Sequence, residues 1–238
     1  MKKGCLICGK PLVFTDEAQE RECYFCHQKF STNASCEEGH YVCDQCHAQQ
    51  GIDAIMRIAQ QSLSQNPIEI ATIMMQDPYI YMHGNEHHVL VAAALITAYH
   101  NTHKFSDKPI FNNIDLSQAL SEAKKRGTQI PGGVCGFWGS CGAAISSGIF
   151  MAIVTGSTPI KNEEWGLSNL LTSKVLFNIG SLGGPRCCKR NTFTAIKVAV
   201  AFCAEYLGVK MDLPEHIFCT FKQNNEQCIT TRCPYFSR

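Results

Sequence analysis

Residues 36–59 read CEEGHYVCDQCHAQQGIDAIMRIA, and two unlike patterns meet inside that stretch. Its first half sets Cys36, His40, Cys43 and Cys46 at the short spacings that let side chains share one soft metal ion. Its second half repeats Ile52, Ile55, Met56, Ile58 and Ala59 at steps of three and four, the period of a helix with one apolar face. A metal-held module therefore gives way to a helical body near His47 to Gly51. The expected fold is mainly α: a small zinc-ribbon or treble-clef-like module over residues 1–48, followed by an all-helical bundle over 49–238.

Upstream of this stretch stand Cys5-x2-Cys8 and Cys23-x2-Cys26, which complete eight candidate ligands: Cys5, Cys8, Cys23, Cys26, Cys36, His40, Cys43 and Cys46. Two closed tetrahedral shells fit that number, so two structural zinc ions are expected. The simplest pairing is sequential, with Cys5, Cys8, Cys23 and Cys26 on one ion and the other four on the second. A cross-braced pairing, as in RING-like modules, is the alternative, and His27 or His47 is placed to substitute for a neighbouring cysteine. Iron–sulfur ligation competes, but paired C-x2-C knuckles with a histidine favour zinc. A segment this polar has too little apolar surface to fold by burial, so metal must supply the folding energy.

The whole chain of 238 residues is 45% hydrophobic and 17% charged, an ordinary globular composition. With 21 basic against 20 acidic residues it has no field to draw it to nucleic acid or an anionic membrane. The first fifty residues are net acidic, which removes the phosphate-driven affinity a nucleic-acid module needs. No apolar run reaches the roughly 20 residues of a membrane span, and the start has no signal-peptide pattern, so the 15 cysteines are expected as thiols in the cytoplasm.

Beyond residue 51 the helical period dominates: Ile68 to Met74, Val89 to Tyr99, Asp115 to Arg126, Cys141 to Val154, Leu167 to Ile179 and Pro185 to Leu207. In the last, Phe193, Ile196, Val200, Cys203 and Leu207 form one buried stripe. Three features exceed packing. His83-Gly84-Asn85-Glu86-His87-His88 has the His-x-x-Glu-His spacing of a zinc hydrolase, with Glu86 as base and Glu163 or Glu164 as a further ligand, although Gly84-Asn85 favours a turn. The glycine-rich run from Gly133 through Cys135 and Gly136 to Cys141 opens a helix whose free amides favour an anion or a thiolate. Arg186, Lys189 and Arg190 surround the adjacent Cys187 and Cys188, and nearby cations lower thiol pKa values. The tail adds Cys219, Cys228 and Cys233-Pro234, a cysteine–proline end typical of iron–sulfur ligand sets. One of Cys187 or Cys188 would make four ligands.

The run Cys135-Gly136-x4-Cys141-Gly142-Ala143-Ala144 with a later Cys187-Cys188 is similar in part to the redox-associated family known by its C-GCAxxG-C-C signature, though the spacing to the vicinal pair is longer. From about Asp77 onward the chain more closely resembles an uncharacterised cysteine-rich domain family, found alone or joined to methyltransferase-like proteins. The elements that carry this resemblance are His83 to His88, Gly133 to Ala144, Pro185 to Asn191 and Cys233 to Phe236. That family brings no established reaction with it.

The functional expectation is a thiol- or metal–sulfur-dependent protein of redox or sulfur-transfer chemistry. Its candidate catalytic residues are Cys135, Cys141, Cys187, Cys188, His83, Glu86 and His87, and its candidate cofactor contacts are Gly133, Gly136, Arg186, Lys189 and Arg190. Beside it stands a non-catalytic adaptor, a zinc module joined to a pocket for a protein partner or small-molecule cofactor, since no complete catalytic machine is legible.

Overall fold

The computed structural model describes residues 4–104 and 114–237. The chain opens with an antiparallel hairpin, β1 (Leu12–Glu22) and β2 (Lys29–Cys36), paired from Leu12 opposite Cys36 to Glu22 opposite Lys29, with an irregularity between Phe14 and Gln19. Phe14 is 73% exposed and Leu12 and Val13 are exposed too, so the hairpin has no apolar core of its own. The buried side chains around it are Cys5, Cys23, Cys36 and Cys43.

Helix α1 (Asp44–Gln61) starts on the last metal knuckle and runs as one helix through the expected boundary at residue 48. Cys43 caps it by accepting the Cys46 N–H. His47 is buried and stacks on Tyr81, ring centroids 3.5 Å apart and nearly parallel, which ties the module to the body.

The body is a helical bundle of α2 (Pro67–Gln76), α3 (His87–Lys104), α4 (Leu116–Gly127), the single turn α5 (Val134–Phe137), α6 (Gly142–Thr155), α7 (Glu163–Leu182) and α8 (Cys188–Tyr206). α3 is its axis: every residue from Val89 to Tyr99 is fully buried, as expected of a helix apolar all round. α1, α2, α4, α6 and α8 all pack on it. The Ala92 N–H of α3 donates to Ser146 Oγ of α6 at 2.9 Å, a close approach between the two helices.

The start of α8 differs from the sequence reading. α8 begins at Cys188, not Pro185, with Cys187 as its cap; Pro185 lies in the preceding turn after a cis Gly184–Pro185 bond. The stripe from Phe193 to Leu207 is buried as expected, yet Lys189, Arg190, Asn191 and Thr192 are buried as well. The tail after α8 holds no long helix; two short 3-10 turns, Lys222–Asn224 and Thr230–Arg232, fold it back over the start of α8.

Candidate functional site

At the hairpin, the ligand atoms of Cys5, Cys8, Cys36 and His40 lie within 4.8 Å of one another, as do those of Cys23, Cys26, Cys43 and Cys46. The pairing is therefore interleaved, first knuckle with third and second with fourth. This overturns the sequential pairing: the hairpin returns Cys36 opposite Leu12, beside Cys8, and sends Tyr41 back to pair with Cys23. Cys8 and Cys36 sulfurs are 3.8 Å apart and Cys26 and Cys43 sulfurs 3.9 Å. A metal–sulfur bond of about 2.3 Å gives a tetrahedral edge of about 3.8 Å, so both groups already have the size of one ion's shell. Backbone N–H groups of Ile7, His40, Cys43 and Cys46 point at the sulfurs of Cys5, Cys36, Cys23 and Cys43. Burial would raise the Cys23 thiol, but the N–H groups of Cys26, Cys43 and Phe25 outweigh it and hold it at about 6. Cys46 is pushed up to about 12 by burial and by the facing sulfurs of Cys43, Cys26 and Cys23, a conflict that a divalent cation between them would remove. His27 lies outside both groups on the Glu22 carboxylate, and His47 lies outside them on Tyr81.

In the body, the separated sequence features converge. Gly142 at the start of α6 lies against the ring of His88, whose Nδ1–H donates to Ile130 O at 3.2 Å. Asn191 of α8 donates to the Cys141 sulfur at 3.4 Å. His83 meets Asn225 of the tail at 3.3 Å, and Asn225 Nδ2 donates to the Cys187 sulfur at 3.6 Å.

The zinc-hydrolase geometry does not form. Gly84 and Asn85 make a turn, α3 starts only at His87, and so His83 and His87 are not presented by one helical face. Glu86 instead accepts the Tyr81 N–H at 2.8 Å, and His87 Nδ1–H donates to Gly84 O at 3.1 Å. Burial raises the Glu86 pKa and drives that of His87 well down, and Glu86 Oε1 lies 3.8 Å from His87 Nδ1. Glu163 and Glu164 lie far along the chain in the first turn of α7, outside both ligand groups.

The vicinal cysteines diverge. Cys187 turns to the tail, sharing a pocket with Cys219, Cys228 and Cys233, whereas Cys188 faces the Gly84 N–H, Cys141 and Glu86. The expectation that Lys189 and Arg190 activate them fails on burial, which raises Cys187 and pushes Cys188 up to about 12. Lys189 is itself fully buried and lowered by burial to about 8, with Nζ on Met75 O at 3.4 Å and over the Phe221 ring. Arg190 donates to Gly183 O and Pro185 O. Neither cation makes a direct ion pair with a carboxylate among the described residues, although the Glu86 carboxylate acts on Lys189 at longer range and partly offsets its burial.

Cys135 and Cys141 line an open cleft of about 570 Å³ with Gly133, Gly136, Arg186, Arg190 and Asn191. Its far wall is Leu176 and Ile179 of α7. Sequence reasoning missed Asn191 and Asn225, the two amides that reach the sulfurs. Nothing in a single sequence marks an asparagine as facing a thiol.

Residues 55–236 match a family of unknown function, DUF5714. No curated protein and no solved structure matches the chain.

Proposed function

The chain belongs to DUF5714, so its chemistry must be read from its own side chains, and we propose that it is a thiol- and metal–sulfur-dependent protein of redox or sulfur-transfer chemistry. The observation that carries this reading is the cleft: two partly exposed thiols, Cys135 and Cys141, share it with the guanidinium groups of Arg186 and Arg190. That combination suits a small anionic substrate, with Cys141 at the head of α6 and its sulfur accepting the Asn191 amide. A metal–sulfur centre in the body belongs to the same reading, and the two hairpin groups take structural zinc. A reducing, cytoplasmic setting belongs to the same reading, because it keeps cysteines available as metal ligands and reactive thiols. No helix among the described residues is long and apolar enough to cross a membrane.

Competitive alkylation with anionic iodoacetate and neutral iodoacetamide, read by peptide mass, tests it. Cys141 or Cys135 should favour iodoacetate over iodoacetamide more than a free thiol does, and Arg186→Ala should remove the preference. Two unreactive thiols in the folded protein would end the reading.

One observation favours the adaptor as second reading. α7 leaves Trp165, Leu170 and Phe177 exposed, and Phe137 of the cleft lining and the adjacent Trp138 are exposed too, apolar surface that suits a protein partner. Recovery of one stable partner that Phe177→Ser abolishes supports it; turnover by the isolated protein counts against it.

A further inference from the structure

The tail pocket is lined by four thiols, Cys187, Cys219, Cys228 and Cys233, and walled by Phe221, Tyr235 and Phe236. Four cysteines from two distant segments meet there because Cys219 pairs with Phe236 across an isolated bridge and Cys228 and Cys233 flank a 3-10 turn. No three of these sulfurs lie mutually within 4.8 Å, whereas both hairpin groups meet that distance with all four of their ligands. A single tetrahedral ion needs edges of about 3.8 Å, so these sulfurs stand farther apart than the shell of one zinc.

Charge points the same way. Lys189 has its ammonium over Phe221, a wall of this pocket, and Arg190 lines the pocket directly. Neither makes a direct ion pair with a carboxylate among the described residues, Glu86 acting on Lys189 only at longer range, and four thiolates with bridging sulfides would add negative charge beside both. The Arg190 and Asn225 N–H groups already point at the Cys187 sulfur, the kind of hydrogen bond that tunes such centres.

We infer that Cys187, Cys219, Cys228 and Cys233 hold a polynuclear iron–sulfur cluster. The assignment deepens the metal–sulfur half of the proposed function and rests on it, but not on the cleft thiols Cys135 and Cys141. Each cysteine releases its proton to solvent on binding iron. The open space between the walls is about 20 Å³, room for a water, so loading moves the tail outward. Its short turns allow this more readily than long helices would. Arg190 lines both this pocket and the cleft, which sets the centre one side chain away from the thiols there.

The test is full-length protein purified without oxygen, then reconstituted with iron(III), sulfide and a thiol reductant, which supplies the electrons where part of the iron becomes iron(II). Iron and acid-labile sulfide should appear in equal amounts, at least about two of each per chain, over and above the hairpin zinc. A paramagnetic signal should develop on chemical reduction. Cys219→Ala and Cys233→Ala should each lower iron at least fivefold with unchanged far-ultraviolet circular dichroism, while Cys188→Ala and Cys203→Ala should keep it. Absence of iron in the wild type, iron without sulfide, or a third zinc that Cys219→Ala removes would overturn the cluster. Loss of iron in Cys188→Ala but not in a Cys187→Ala variant would overturn the ligand assignment. Failure here with Cys141 alkylation intact would sink the cluster alone, and the reverse would sink the cleft reading alone.

Discussion

Adding one methyl group at Gly142 should destabilise the protein, against the ordinary helix preference. Gly142 is the first residue of α6, where alanine normally gains up to about 1 kcal/mol over glycine. A Cβ at that position would lie 2.1 Å from His88 Cδ2 and 2.2 Å from Nε2, well inside contact distance. The ring has little freedom to yield, being 9% exposed and held by its hydrogen bond to Ile130 O. Overpacking of this kind costs about 1–3 kcal/mol and a lost hydrogen bond about 0.5–1.5 kcal/mol. Gly142→Ala should therefore lose a net of about 1–3 kcal/mol, a fall in Tm of several degrees for a chain this size. The comparison is Gly166→Ala in the first turns of α7, where a Cβ meets nothing within 4 Å and the gain should be up to about 1 kcal/mol. Urea unfolding of both variants at saturating zinc, with the denaturant slope checked for constancy, measures the difference. A Gly142→Ala protein as stable as the wild type would refute the reasoning, because His88 would then have to be free to move.

Further outcomes follow from other parts of the molecule. The double variant Cys5→Ser with Cys36→Ser should lose one zinc and keep one, since both belong to the same group; loss of both ions would restore the sequential pairing. His87 is driven well below its usual pKa by burial first and by Lys189 second, so below about pH 6.5 the unfolded chain binds a proton the folded chain refuses. Stability should thus fall as pH falls below the unfolded value of about 6.5, and the wild type should lose more than His87→Gln in urea titrations. Equal losses in the two proteins would show that His87 takes up its proton when folded. Tyr81→Leu removes the ring stacked on His47 and should cost about 0.5–1.5 kcal/mol while both zinc ions stay bound; zinc loss would mean the stack also holds the metal groups in shape.

The helical body was legible because periodicity reports directly on which face is buried: Phe193, Ile196, Val200, Cys203 and Leu207 all lie inside, and Asp115 caps α4 through the Gln118 N–H. The hairpin ligands were legible as a set, since cysteine spacing is local chemistry. Their pairing was not, because it depends on the register of β1 with β2 and on where Tyr41 returns to Cys23. The start of α8 misled most. Arg186, Lys189 and Arg190 read as a solvated basic cluster activating two thiols, but the tail covers Lys189 and Arg190, and desolvation outweighs their charge. The choice between Cys187 and Cys188 was undecidable from the sequence for a geometric reason: neighbouring residues at a helix start point in different directions. Gly84-Asn85 carried its usual meaning, and the turn it makes separates His83 from His87.

Helix α1 answers to two clients at fixed phase. Its first turn carries Cys46 to a metal group, and His47, Ile52, Ile55 and Ala59 meet the body from the same rod. One residue inserted between Cys46 and Ile52 would turn one client against the other by about 100°, so metal knuckle and core could not both stay seated. Seven inserted residues would bring the phase back to within about 20° but push the hairpin roughly 10 Å along the helix axis, off Tyr81. The distance from the last cysteine to the first core isoleucine thus behaves as a gear ratio, and its length in residues is constrained independently of which side chains occupy it.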